Sequence, residues 1–345
     1  MQRFVSFYLA MLLLGAASPA DAGRLELKAP PNDAAIARSS VTIAGEADPA
    51  IQQVALRNNG EWVADVPVIN GRFQHNSFAL APGANVIEAS ANQQSTKLLL
   101  FRVSDVTPRS PQFVLFDWQA DVEEVLKDIA RKTVNGPHGE RQLDAYAALI
   151  KTRTAQIFLD YYRGVADVRL VSSNGPDVTT ININPVQNAG TFGRTAVDCR
   201  NASLRQPVWV YADYLRLSMR DNFAAWEPMR RDDTLPQRAN DVAESLARTA
   251  AHELGHAFGL TANAGACGWM EGDPDGHNSE AVHHRADYHH LPRRFNRGWH
   301  VMDYVSPTDG HIRIGHSNRH DRSAPRRGQF ERFSASYLSI LHPLP

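Results

Sequence analysis

Five consecutive residues, His252-Glu253-Leu254-Gly255-His256, combine two metal-ligand side chains and one carboxylate at a spacing that can do chemistry. On a helix, His252 and His256 fall one turn apart on the same face. Imidazoles stacked in that way can share a zinc ion, each through a ring nitrogen at about 2.0–2.1 Å. Glu253 then sits one residue round from the first ligand, beside the metal and not on it. A carboxylate in that place can take a proton from a water whose pKa the metal lowers to about 7.

This is the H-E-x-x-H arrangement of zinc peptidases, and the flanking residues supply what such a helix needs. Asp241 and Glu244 have the spacing of a capping box, which predicts a helix over 241–260 preceded by a loop from Asn222 to Arg238. Val242, Leu246, Ala250, Leu254 and Ala257 recur at helical spacing and would bury one side. Gly255 and Gly259 each cost about 1 kcal/mol relative to Ala inside a helix. Close backbone approach beside a metal would offset that cost.

The elements that must carry the site differ along the chain. At the start, Arg3, an apolar run from Phe4 to Ala17 and the small-x-small pattern Ala20-Asp21-Ala22 read as a signal peptide over 1–22. The run is shorter than the roughly 20 residues a spanning helix needs, and no later stretch could span a bilayer. The expectation is a mature protein that is secreted or periplasmic. Net charge is -1 and pI about 6.9, so no global field points to nucleic acid. With two cysteines in an oxidising compartment, Cys199 and Cys267 would most simply form one disulfide.

Residues 23–105 read as an all-β module. Seven strand-like runs (Leu25–Lys28, Val41–Glu46, Gln53–Arg57, Trp62–Val68, Gly71–Ala79, Asn85–Ala91 and Lys97–Val103) are separated by regularly spaced turn signals. Asn59-Gly60 and Asn70-Gly71 are hairpin turns, because such residues tolerate positive φ. The stretches Ala29-Pro-Pro-Asn-Asp33, Val41-Thr-Ile-Ala-Gly-Glu-Ala-Asp48, Gly71-Arg-Phe73 and Leu80-Ala-Pro-Gly-Ala-Asn-Val-Ile-Glu88 resemble the bacterial immunoglobulin-like modules of exported enzymes and adhesins. That resemblance implies a β-sandwich, with spacing or substrate docking as its role.

Residues 106–112, with Pro108 and Pro111, read as a linker, and 113–345 alternates strand and helix. Amphipathic helices are expected over Asp121–Arg131 and Leu143–Tyr162, the second ending near Gly164. Strands are expected over Val168–Ser173, Thr179–Asn184 and Val208–Asp213, with a glycine-rich segment at Gly190 and Gly193. Phe333–Leu341 should be a short helix packing under the site, ended by Pro343.

That order, a long helix, strands, a glycine-rich pair and then a helix bearing H-E-x-x-H, resembles the metzincin clan of zinc peptidases. The clan extends the motif to H-E-x-x-H-x-x-G-x-x-H/D, and Gly259 matches its glycine. Val301-Met302-Asp303-Tyr304 resembles the clan's methionine turn beneath the metal. The resemblance implies an α+β catalytic domain holding Zn2+, with protein or peptide as substrate. It also implies a role for Tyr304, since in the astacin and serralysin branches a tyrosine two residues after the methionine stabilises the tetrahedral intermediate.

One departure matters. Ala262 stands where the third ligand belongs and cannot bind zinc, while 11 of the 14 histidines lie between 252 and 320. The reading is an insertion whose far end returns the ligand. Similarity to inserted metzincin-like sequences favours His290, with His289, His284 and Asp287 as alternatives. A gluzincin-type site would instead use Glu280 or Glu271. A third possibility, from another class, is an exported binding or adhesion protein whose peptidase domain is silent; the intact Glu253 weighs against it.

Overall fold

A computed structural model describes residues 24–32, 34–104, 106–185, 192–198, 201–213, 234–260 and 332–345. The signal-peptide expectation, both cysteines, and His284, Asp287, His289, His290, Met302 and Tyr304 lie outside the described residues, as do Glu271 and Glu280.

The first eight strands are β1 (Leu25–Ala29), β2 (Ala34–Ile36), β3 (Ser40–Ala47), β4 (Gln53–Asn58), β5 (Glu61–Pro67), β6 (Arg72–Ala79), β7 (Gly83–Ala91) and β8 (Gln94–Arg102). They form two sheets, in orders β1-β3-β6 and β2-β8-β7-β4-β5. Alternation along each strand sends every second side chain inward. Ile43, Phe73 and Phe78 of the first sheet meet Val54, Leu56, Ile87 and Leu100 of the second in one core. This is an N-terminal β domain. Its hairpin turns carry the positive φ their residues allow, 51° and 84° at Asn59-Gly60 and 52° and 73° at Asn70-Gly71. Strand β2 is an addition to the sequence reading, which places no strand between Lys28 and Val41. It pairs parallel with β8, Ala34 opposite Leu100.

Five further strands follow: β9 (Gln112–Trp118), β10 (Val168–Leu170), β11 (Val178–Asn184), β12 (Gly193–Thr195) and β13 (Val208–Tyr211). Their sheet has the order β10-β9-β11-β13-β12. Pairing is parallel throughout except at the edge, where β12 runs antiparallel to β13 with Gly193 opposite Val210. Along β11, Thr179, Ile181 and Ile183 are buried and their neighbours are not. Ile181 and Ile183 share a core with the helices.

Four helices complete the described chain: α1 (Val122–Thr133), α2 (Glu140–Tyr162), α3 (Leu235–Ala257) and α4 (Arg332–Leu341). Helix α1 carries Glu123 and Glu124 in its first turn and Arg131 and Lys132 in its last, matching the helix dipole. Gly164, at φ 75°, follows the end of α2. None of the described helices is long and apolar enough to cross a membrane.

Helix α3 starts earlier than expected. Thr234 is its N-cap and Gln237 completes a capping box, with Pro236 in the first turn, where no N–H is required. Asp241 therefore lies inside the helix, 3.7 Å from Arg238, and the expected loop ends before residue 235. Two Ser/Thr/Asp-x-x-Glu/Gln pairs compete for the start. The earlier one wins because Ala239, Val242 and Ala243 are fully buried and extend the apolar face upstream.

Candidate metal centre

The site is built on the last two turns of α3. Small side chains let this helix sit deep in the core: Ala247, Ala250, Ala251 and Leu254 have no exposed surface, and Ala257 keeps 2%. On its more open side, His252 and His256 are half-buried. Their Nε2 atoms are 3.1 Å apart, with rings edge-on at 4.7 Å between centroids.

The helix end fixes the second imidazole. Gly259 has φ 93°, a conformation that costs glycine nothing. Its N–H donates to His256 O at 2.8 Å, and the Leu260 N–H donates to Gly255 O at 2.9 Å, the paired bonds of a glycine-terminated helix. That turn carries the Leu260 carbonyl back over the helix, where it lies 2.6 Å from His256 Nδ1. A carbonyl can only accept, so Nδ1 carries the proton and Nε2 keeps its lone pair. Burial also pushes the His256 pKa down, with the Leu260 bond opposing, which favours the neutral ring a metal requires.

Two tyrosines pin this segment from opposite ends. Tyr162 of α2 donates its hydroxyl to Ala251 O at 3.0 Å, just before His252. Tyr337 of α4 donates to Phe258 O at 2.9 Å, satisfying a carbonyl the helix leaves open. Ring contacts continue the support, from Phe158 to Tyr162 at 5.2 Å, Tyr162 to Phe258 at 6.4 Å and Phe258 to His342 at 4.3 Å. The C-terminal tail also bonds the segment after β8, through Arg109 N–H to Leu341 O. Further along, the Ala35 N–H of β2 donates to Ser336 Oγ.

Glu253 follows His252 on the same helix end. It is only 8% exposed, and its side chain packs against Gly193 on edge strand β12. Burial raises its pKa to about 8 in the chain alone. A nearby dication would draw that value down again, because a positive charge favours the carboxylate.

The donor set suits a zinc ion. Two Nε2 ligands on a tetrahedral zinc are separated by about 3.3 Å when each bond is about 2.05 Å, close to the spacing here. Among the described residues no group of three or more His, Cys, Asp or Glu side chains is placed to hold a metal, and the candidate donors on α3 are His252 and His256. The structure brings His252, Glu253 and His256 onto one helix end and says nothing of His290 or Tyr304. The motif did not reveal Tyr162, Tyr337 or Gly193. No local pattern could, since each reaches the helix from a distant part of the chain.

No family model matches the chain, and no curated protein matches it either. Among solved structures, an FMN-binding beta-glucuronidase from Facaelibacterium prausnitzii L2-6 is similar at 21% identity and a TM-score of 0.21. A Bacteroides fragilis protein assigned as a beta-galactosidase is similar at 13% identity and the same TM-score. Each alignment covers 24% of this chain and 12% of the other. At that score the likeness carries no architectural or functional argument, and the chemistry of the site rests on its own residues.

Proposed function

We propose that the chain is an exported, zinc-dependent endopeptidase of the metzincin type, with a bacterial immunoglobulin-like module at its N-terminal end. The observation that carries this reading is the convergence of His252 and His256 Nε2 atoms at 3.1 Å beside a buried glutamate. The positive φ of Gly259 supports it, since the motif's glycine is the residue that turns the chain.

His252 and His256 hold the metal through Nε2, and His290 is the proposed third ligand from the histidine-rich segment. Zinc bound there supplies a Lewis acid that acidifies water to a pKa of about 7 and polarises a carbonyl. Glu253 accepts a proton from the attacking water and returns it to the leaving amine nitrogen, acting first as base and then as acid. Its buried position against β12 keeps competing solvent away from that proton. The Leu260 carbonyl holds the His256 ring in the tautomer and orientation that metal binding needs. Tyr304 is the proposed group that stabilises charge on the substrate oxygen. Among its described residues the β module fully buries no ionisable residue, and its proposed role is to space or dock.

The test is hydrolysis of casein or a peptide library with and without a chelator, for wild type and Glu253→Gln. Wild type should lose activity with chelator and regain it with zinc. Glu253→Gln should keep its zinc and lose about 10²–10⁴-fold in rate. Full activity in Glu253→Gln would remove the assignment of the base, and chelator-resistant or absent hydrolysis in wild type would remove the reading itself.

A further inference from the structure

The edge strand approaches α3 more closely than any side chain would permit. A Cβ at position 193 would lie 2.5 Å from Glu253 Cγ, 2.9 Å from Cδ and 2.7 Å from Oε1. Ordinary carbon contacts begin at about 3.5 Å, so an alanine there cannot coexist with the present glutamate. The backbone of Gly193 is not in the left-handed region. Glycine is required here for space and not for its conformational freedom.

The strand and the helix backbone cannot give way easily, so the shift must fall on the Glu253 side chain. Strand β12 is locked to β13 in register, Gly193 opposite Val210, and the Tyr211 N–H donates to Phe192 O at 2.8 Å. Glu253 is next to Leu254, which has no exposed surface, on a helix held at Ala251 by Tyr162. The overlap starts at Cγ, so swinging the carboxylate alone would not relieve it; the side chain would have to change its first rotamer.

We infer that Gly193 is a positioning residue for Glu253: by lacking a side chain, it allows the carboxylate to lie against the edge strand in the single rotamer that the proposed proton transfer uses. This rests on the peptidase reading above. Gly193 acts only through Glu253, and its effect on hydrolysis must vanish when that carboxylate is gone.

The experiment is a double-mutant cycle read in two ways, hydrolysis and thermal unfolding. Gly193→Ala should keep stoichiometric zinc, change KM less than threefold and lower kcat by about 10²-fold. In the Glu253→Gln background the same substitution should change the residual rate by less than twofold. Independently of activity, Gly193→Ala should melt about 5 °C below wild type, as overpacking does. Removing the obstructing side chain should relieve this, so Gly193→Ala with Glu253→Ala should melt within a degree or two of Glu253→Ala alone. Should Gly193→Ala be too unstable to assay, this second comparison decides. A kcat within threefold of wild type, a full rate loss that persists with Glu253→Gln, or a melting defect that persists with Glu253→Ala would overturn the inference. If wild type shows no zinc-dependent hydrolysis, the peptidase reading fails while the melting cycle still reports whether Gly193 sets the place of Glu253.

Discussion

Between residues 24 and 104 the buried polar side chain among the described residues is Asn85, a neutral amide. It bonds Ala81 twice, Gly83 and Asn58. Beyond residue 106 the buried set contains Lys127, Arg238, Asp241, Glu253 and His342. Some of these are matched: Lys127 meets Glu123, Glu124, Glu140 and Asp144, and Arg238 meets Asp241. Glu253 differs, because burial alone governs its pKa. Ionisable groups held in low dielectric without compensation are where catalytic work concentrates. Among the described residues the β domain fully buries one neutral amide residue, whereas the end of α3 buries a carboxylate whose pKa burial raises, next to His252, and the proposed division between scaffold and site rests on that contrast.

Three perturbations press on that contrast, from the largest effect to the smallest. Phe78 has no exposed surface and fills the β domain's core, so Phe78→Ala should cost about 3–5 kcal/mol. Denaturant titration measures this, and zinc content per folded molecule should stay at the wild-type value. A parallel loss of zinc at temperatures where the chain remains folded would break the division between scaffold and site.

The second uses pH. His342 has no exposed surface, donates Nδ1–H to Arg109 O, and has no partner for Nε2 among the described residues. Burial lowers its pKa from 6.5 to about 4, with Arg109 and Asp167 opposing. The unfolded chain therefore takes up the proton first, so its contribution is complete above pH 6.5 and is lost as pH falls from about 6.5 to about 4. The loss amounts to about 3 kcal/mol. Stability measured across that window should fall more steeply in wild type than in His342→Gln, and equal slopes would dismiss the assignment.

The smallest expected effect is Tyr337→Phe. It removes the hydroxyl that satisfies Phe258 O and should lower stability by about 1 kcal/mol. Because this bond reaches the turn after His256, at Phe258, and not Glu253, Glu253-dependent rates should change far less than in Gly193→Ala.

Legibility in the sequence followed the range of each interaction. The hairpin turns at Asn59-Gly60 and Asn70-Gly71 were readable because residue type alone sets their φ. The pairing of His252 with His256 was equally readable, since four residues make one helical turn. The start of α3 was misread because two capping boxes lie within ten residues, and only the burial of Ala239 and Ala243 separates them. Strand β2 has three residues and its partner β8 lies more than sixty residues away, so no local period announced it. Gly193 meets Glu253 across sixty residues of chain, a contact created by sheet-on-helix packing that no spacing rule contains.

The most direct test is the metal content of the purified protein, after dialysis against zinc and removal of excess. One zinc per chain is expected in wild type and in Glu253→Gln, and none in His252→Ala with His256→Ala. A wild-type chain that retains no zinc, or a doubly substituted chain that retains it in full, would contradict the account at its centre.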